Sequence, residues 1–276
     1  MPWQTTRFLI DLQRPQVMGI VNVTPDSFSD GGHHAAPEQA MAHCELLLAE
    51  GADILDIGGE STRPGSVMPS WQDELARVLP VVRHAVTLGV PVSVDTSRPE
   101  VIAEVLAAGA DIINDIRSLT WPGALACVAQ APQAGICVMH MQGQPGTMQL
   151  QPHYDDVLAD VRAFLAERVQ VLREVGVADA RIVLDPGYGF GKTAEHNWAL
   201  LRGQAQLLDL GFPLLAGWSR KGTLGQLTGR PVGERMVASV AAALAAAAHG
   251  ARVLRVHDVA ATVDAVKVWQ AAGLVA

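Results

Sequence analysis

Short β-branched runs that end in a polar residue recur along the chain, at 17–22, 54–56, 92–95, 112–115, 136–140, 182–185, 214–219 and 253–257. Apolar runs of this length, bounded by polar and turn residues, predict strands. Between them, apolar residues return at helical spacing over 37–50, 71–88, 98–108, 154–175, 196–206 and 234–249, which predicts amphipathic helices. Pro99 shortly after Ser97 suits a first helical turn. The turns Gly51-Ala52-Asp53, Gly109-Ala110-Asp111 and Gly250-Ala251-Arg252 each precede a strand, and their glycines read as helix C-terminal caps. Strands alternate with helices and no run of hairpins interrupts them, so the sheet is expected to be parallel with helices outside. Eight such units in 276 residues predict an α/β fold, a (β/α)8 TIM barrel, over an open doubly wound sheet. Residues 7–11 are expected to form a short N-terminal strand capping one barrel end. No linker or composition shift divides the chain, so residues 1–276 are expected to form one domain.

A barrel of this kind carries its chemistry at the C-terminal ends of its strands. The polar residues there are Asn22, Asp56, Asp95, Asn114, Asp115, His140, Asp185, Ser219, Lys221, Arg255 and His257. Asp or Asn after a strand commonly caps a helix or closes a turn, and Asp56 and Asp115 are assigned that structural role. The rest divide by chemistry. Asp95, Asn114 and Asp185 supply two carboxylates and an amide, which suits the amino-amide edge of a fused nitrogen heterocycle. Arg63, Lys221, Arg255 and His257 supply cationic or donor groups that suit phosphate oxygens. The expected ligand has a heterocyclic end and an anionic end.

Two glycine-bearing loops, 24–32 and 58–65, leave the same face, and glycine lets a backbone approach an anion closely. Phe28 is an odd apolar residue for a solvated loop. The segment Gly187-Tyr188-Gly189-Phe190-Gly191-Lys192-Thr193 ends like a phosphate-binding loop, but Pro186 stands where that motif needs its first glycine. Lys192 in turn stands where a dinucleotide-binding pattern needs its third glycine. Neither motif fits, and the glycines are read as shaping the loop that leaves Phe190 free to pack on a flat ring. His33, His34, His43 and His84 are assigned no role. Met139 and Trp218 are assigned to the core or the pocket wall.

Charge narrows the partners. With 20 Lys+Arg against 28 Asp+Glu, a net charge of −8 and no basic run, the chain is a poor binder of nucleic acid or anionic membrane. A local cationic patch remains compatible with that sum. Cys44, Cys127 and Cys137 form no C-x-x-C pair, which disfavours disulfides and zinc and points to a reducing cytoplasm. The alanine-rich run 237–248 is too short to span a membrane, and its small residues suit helix packing.

Seven segments carry a resemblance to a known family. They are Met18 through Gly32 (MGIVNVTPDSFSDGG), Gly58 through Gly65 (GGESTRPG), Ser93-Val94-Asp95-Thr96, Ile113-Asn114-Asp115, Asp185-Pro186-Gly187, Ser219-Arg220-Lys221 and Arg255-Val256-His257-Asp258. In this order they resemble the bacterial dihydropteroate synthases of folate biosynthesis, over essentially the whole chain. The resemblance implies a TIM barrel that condenses (7,8-dihydropterin-6-yl)methyl diphosphate with para-aminobenzoate, giving 7,8-dihydropteroate and pyrophosphate. It implies a pterin site of Asp95, Asn114, Met139, Asp185, Phe190, Gly217 and Lys221. Pyrophosphate would be held by Asn22, Arg63, Arg255 and His257, with Asn22 also contacting Mg2+. Para-aminobenzoate would meet Phe28, Thr62, Pro64, Phe190, Ser219 and Lys221. Catalysis would rest on Asp30, Asp95, Asp185, Lys221, Arg255 and His257. The family also implies a homodimer through exterior helices, for which 236–249 is the candidate. Gly222 stands where Ser or a larger residue is frequent, and Tyr188 where Phe or another apolar residue is usual. A related pterin barrel that moves a methyl group to a corrinoid protein would share the Asp/Asn set but would not need the 24–32 loop or the Ser219-Arg220-Lys221 group.

Overall fold

The computed structural model describes residues 2–24, 32–61 and 66–273. A small antiparallel hairpin, β1 (Trp3–Gln4) and β2 (Leu9–Ile10), opens the chain. Eight parallel strands follow among the described residues: β3 (Gln16–Asn22), β4 (Ile54–Gly58), β5 (Val92–Asp95), β6 (Ile112–Asp115), β7 (Gly135–Met139), β8 (Ile182–Asp185), β9 (Leu214–Ala216) and β10 (Ala251–Val256). They close into a barrel in chain order, with β10 pairing β3. The helices are α1 (Gly32–Ala49), α2 (Trp71–Val86), α3 (Pro99–Ala107), α4 (Ala124–Gln130), α5 (Val157–Glu174), α6 (Ala194–Gly203), α7 (Gly222–Thr228), α8 (Met236–Ala248) and α9 (Val259–Ala271). The (β/α)8 TIM barrel expected from the alternation is the observed fold.

Three strand predictions match to the residue, at β5, β6 and β8. β9 stops at Ala216, short of the expected 219, and the chain then turns at Ser219-Arg220, with φ +59° at Arg220. The helices α4 and α7, seven residues each, are too short to show a period in sequence. The three glycine caps are as expected, with φ of +95° at Gly51, +99° at Gly109 and +94° at Gly250. Side chains close the helix starts: Ser70 accepts from Asp73 N, Asp156 accepts from Leu158 N and Ala159 N, and Thr193 and His196 form a reciprocal capping box.

The outward strand faces pack on the helices through residues such as Val17, Val21, Leu55, Ile57, Val94 and Leu184. The inward faces form a second cluster of Met18, Ile54, Ile112, Cys137, Val183, Leu215 and Val253. Trp3, Ile10 and Leu12 from the N-terminal hairpin complete that cluster, and Trp3 Nε1 donates to the Arg181 carbonyl at 2.8 Å. One barrel end is thereby plugged with apolar side chains, which leaves the opposite end for chemistry.

Candidate active site at the barrel mouth

Side chains two residues apart on a strand share a face. One step beyond the apolar plug, the inward positions are therefore Ile20, Asp56, Asn114, Met139, Asp185, Gly217 and Arg255, with Ser93 and Asp95 from β5. Most of this upper layer is polar. A cavity of about 600 Å³ lies at this end, lined by Asn22, Asp95, Phe190, Gly217, Ser219, Lys221, Arg255 and His257, together with Thr24, His43, Glu60 and Ser61.

Asp56 is not the cap or turn residue expected of it. It lies inside β4, and its fully buried carboxylate accepts from Arg255 Nε at 2.6 Å and Ser93 Oγ at 2.6 Å. The Asn114 amide lies 3.4 Å from both of its oxygens. Arg255 Nη2 donates to Asp95 Oδ2 at 2.8 Å. Two nitrogens of one guanidinium thus join carboxylates from β4 and β5, and Nη1 is left without a partner among the described residues. Burial works against the Arg255 charge, but Asp56 and Asp95 outweigh it and hold the guanidinium protonated. Burial likewise pushes the Asp95 carboxyl above the usual carboxylate range, while Arg255 pulls it back. Asp115 does keep the structural role expected: it accepts from Ser97 Oγ, Arg117 N and Leu119 N at the end of β6.

The donors gather on the other side. Lys221 Nζ sits 4.1 Å from the centroid of the Phe190 ring, a cation–π contact. Burial, then the neighbouring Arg255, pushes its ammonium down to about 8. His257 donates its backbone N–H to Ser219 Oγ at 3.1 Å, and its Nδ1 lies 3.0 Å from the same hydroxyl. Burial and the charges of Arg220 and Arg255 push that imidazole down to about 3, so His257 serves as a neutral hydrogen-bonding group. The left-handed turn at Arg220 is held by Ser239 Oγ, which accepts Arg220 N at 2.9 Å, and by an ion pair to Asp258 at 2.7 Å. That turn brings Ser219 and Lys221, on either side of it, to the same cavity.

The structure brings most of the sequence-predicted residues to this one end. Asn114 and Asp185 are buried and do not line the cavity; Asn114 reaches it through Asp56 and Arg255. Burial raises the Asp185 carboxyl, against its hydrogen bond from Gly187 N at 2.7 Å. Met139 packs with Ile116, Met148 and Phe190 and lines a separate cavity of about 330 Å³. Phe28, Asp30, Thr62, Arg63 and Pro64 lie outside the described residues. Asp56 and His43 were not expected at the site. The inward period of β4, Ile54-Asp56-Gly58, could have placed Asp56; nothing in the sequence marks His43.

Among the described residues no cluster of three His, Cys, Asp or Glu side chains is arranged to hold a metal. Asn22, at the end of β3 and on the cavity wall, offers one amide oxygen. A single hard oxygen suits a magnesium ion bound chiefly through water and substrate phosphates. No helix among the described residues is long and apolar enough to cross a membrane.

Comparison with known proteins agrees with this geometry. The sequence profile of the pterin-binding enzymes matches residues 18–257. The dihydropteroate synthase of Neisseria meningitidis serogroup B is 52% identical over 278 residues, covering 99% of this chain and 98% of that protein. The Yersinia pestis dihydropteroate synthase, solved with a sulfonamide drug complex, superposes with a TM-score of 0.94 at 48% identity and covers 99% of both chains. The Xanthomonas albilineans dihydropteroate synthase, solved with 7,8-dihydropteroate, gives a TM-score of 0.88 at 49% identity and 96% coverage of both. Match length, identity and superposition converge: the chain belongs to the dihydropteroate synthases, the pterin-binding enzymes that join a dihydropterin methyl diphosphate to para-aminobenzoate with release of pyrophosphate.

Proposed function

We propose that this condensation takes place in the cavity at the barrel mouth, with each end of the substrate read by a different chemistry. The carrying observation is the buried Asp56–Arg255–Asp95 arrangement, which sets carboxylates against the barrel floor and cations toward the cavity. Asp95, Asn114 and Asp185 take the donor-rich edge of the pterin, with Lys221 donating a hydrogen bond to its acceptor atoms, Phe190 and Gly217 as walls, and Met139 packed against Phe190. Arg255, His257 and Asn22 take the diphosphate, joined by Arg63. Ser219 and Lys221, with Phe28, Thr62, Pro64 and Phe190, take para-aminobenzoate.

Pyrophosphate departs from the pterin methylene carbon by breaking one C–O bond, and its oxygens keep the electron pair. Arg255 and His257 stabilise that developing charge, which is where electrostatic preorganisation has most effect. The carbon left behind is cationic, with charge delocalised into the ring, and the carboxylates of Asp95 and Asp185, with Asp30, stabilise it. The para-aminobenzoate nitrogen then forms the new C–N bond and passes one proton to the departed pyrophosphate. No protein nucleophile is needed. Asn22 would hold a magnesium ion, which would supply further neutralisation of leaving-group charge. Exclusion of water keeps the cation from hydrolysis. A homodimer through the exterior helices fits the exposed Met236, Val237 and Val268 side chains on α8 and α9.

The test is pyrophosphate release in the presence of both substrates. Release that depends on para-aminobenzoate, stops in excess chelator and returns with magnesium is expected. Methyl transfer to a corrinoid protein, or tight pterin binding with no release, would overturn the proposal.

A further inference from the structure

The glycine-rich segment that fits neither phosphate nor dinucleotide motif has a different architecture from both. Gly187, Gly189 and Gly191 all adopt left-handed φ, at +72°, +80° and +61°. The loop wraps Nζ of its own Lys192. Lys192 Nζ donates to the Gly187 carbonyl at 2.9 Å and the Phe190 carbonyl at 3.1 Å, lies 2.9 Å from His140 Nδ1 and 3.4 Å from the His140 carbonyl. The side chain is only 3% exposed, and no carboxylate among the described residues forms an ion pair with it. An ammonium has three N–H donors and fills all three short contacts when His140 accepts at Nδ1. A neutral amine has two donors and a lone pair, and fills the same three when His140 Nδ1 carries the proton. The His140 imidazole is pushed down to about 3 by burial and then by Lys192, so the ring is neutral in either arrangement.

Burial pushes the Lys192 ammonium down to about 7, against the pull of the Asp185 carboxylate beyond ion-pair distance, and a methionine would fill the same space at less cost. What its Nζ organises is the loop on which the pterin end depends. Asp185 begins that loop and accepts from Gly187 N; Phe190 ends it, and its ring lies beneath Lys221 Nζ. The two carbonyls bound by Lys192 belong to Gly187 and Phe190, so one Nζ ties both ends. Close packing adds to the constraint. A Cβ at Gly187 would overlap the His140 carbonyl oxygen, and one at Gly191 the Gln142 carbonyl oxygen.

We propose that Lys192 is a positioning residue for the pterin substrate: its Nζ holds the β8–α6 loop in the form that sets Asp185 and Phe190 against the ring. This rests on the assignment of Asp185 and Phe190 to the pterin end. The test is the KM for the pterin diphosphate in Lys192→Met, which loss of folded enzyme alone does not move. That KM should rise about 10-fold or more. His140→Leu, which removes one partner and keeps the carbonyls, should raise it about 3-fold. Asp185→Asn serves as the reference and should raise it as well. A pterin KM within about 2-fold of wild type in Lys192→Met, or in His140→Leu if the first variant does not fold, overturns the inference while Asp185→Asn shows the expected rise. An unchanged KM in Asp185→Asn overturns the site assignment itself.

Discussion

Arg255 and Asp56, two strands apart in the barrel, meet with guanidinium Nε 2.6 Å from a carboxylate oxygen. Asp56 has Ser93 as a second donor, and Arg255 has Asp95 as a second acceptor, so the orientation of the guanidinium is set from two sides. The guanidinium proposed to meet the diphosphate is therefore held in place by a carboxylate that itself lines no part of the cavity.

Asp56→Asn keeps the shape of the side chain and removes its charge. Arg255 then has Asp95 as its one carboxylate among the described residues, and its geometry loosens. kcat/KM for the pterin diphosphate should fall about 100-fold, as displacement of a positioned group by an ångström commonly does. Steady-state kinetics on the variant, with circular dichroism to verify the fold, provides the measurement. A value within about threefold of wild type would deny Asp56 a part in the site.

Lys221 has no ion-pair partner among the described residues and titrates at about 8, below its ordinary 10.5, through burial and then Arg255. Its charge is present below that pH and lost above it. In the free enzyme, kcat/KM should decline above about pH 8. Lys221→Arg should move that alkaline limb out of range, since guanidinium does not deprotonate there. Lys221→Ala should lose about 10²–10³ in turnover with the fold intact. An unshifted alkaline limb in Lys221→Arg would assign the limb to another group.

Stability should fall on the acid side for a reason visible in two imidazoles. His140 and His257 are held neutral down to about 3, each first by burial and then by neighbouring cations, whereas an unfolded histidine protonates near 6.5. Between those values the unfolded chain binds more protons, so stability rises with pH and is lost as pH drops below about 6.5. The slope is at most about 1.4 kcal/mol per pH unit for each histidine. Urea unfolding at pH 7, 6 and 5 measures it, and His140→Leu should flatten it. An identical slope in that variant would contradict the contribution of His140.

Gly187→Ala should be among the costliest single-methyl additions in the chain. The backbone is left-handed at φ +72°, and the new methyl would meet the His140 carbonyl oxygen, which backbone cannot easily yield. A loss of about 2–4 kcal/mol is expected, read from the denaturant midpoint at unchanged slope. A loss below about 0.5 kcal/mol would mean the loop has room that the structure does not show.

How much of this was legible in the sequence differs by element. The barrel was, because Ile112-Ile113-Asn114-Asp115 and its counterparts state both strand period and strand end in four residues. So was the place of Asp95, Arg255, Lys221 and His257 on the cavity wall, since each stands within two residues of the end of one of those runs. Asp56 was hidden by the same cue: it looked like the residue after a strand, but β4 continues to Gly58 and turns it inward. His43 sits on α1, where position alone does not tell which side meets the cavity. Lys192 was legible as part of a motif and not as a function, because the loop folds back on its own side chain. Only the coordinates bring Nζ onto the carbonyls of Gly187 and Phe190.

The most direct measurement is a crystal structure of this protein soaked with 7,8-dihydropteroate. The pterin edge should lie within hydrogen-bond distance of Asp95, Asn114 and Asp185, with Lys221 beside the ring and the benzoate toward Ser219. A pterin bound instead in the smaller cavity beside Trp121 and Phe164, with Asp95, Asn114 and Asp185 untouched, would contradict the site assigned to the barrel mouth.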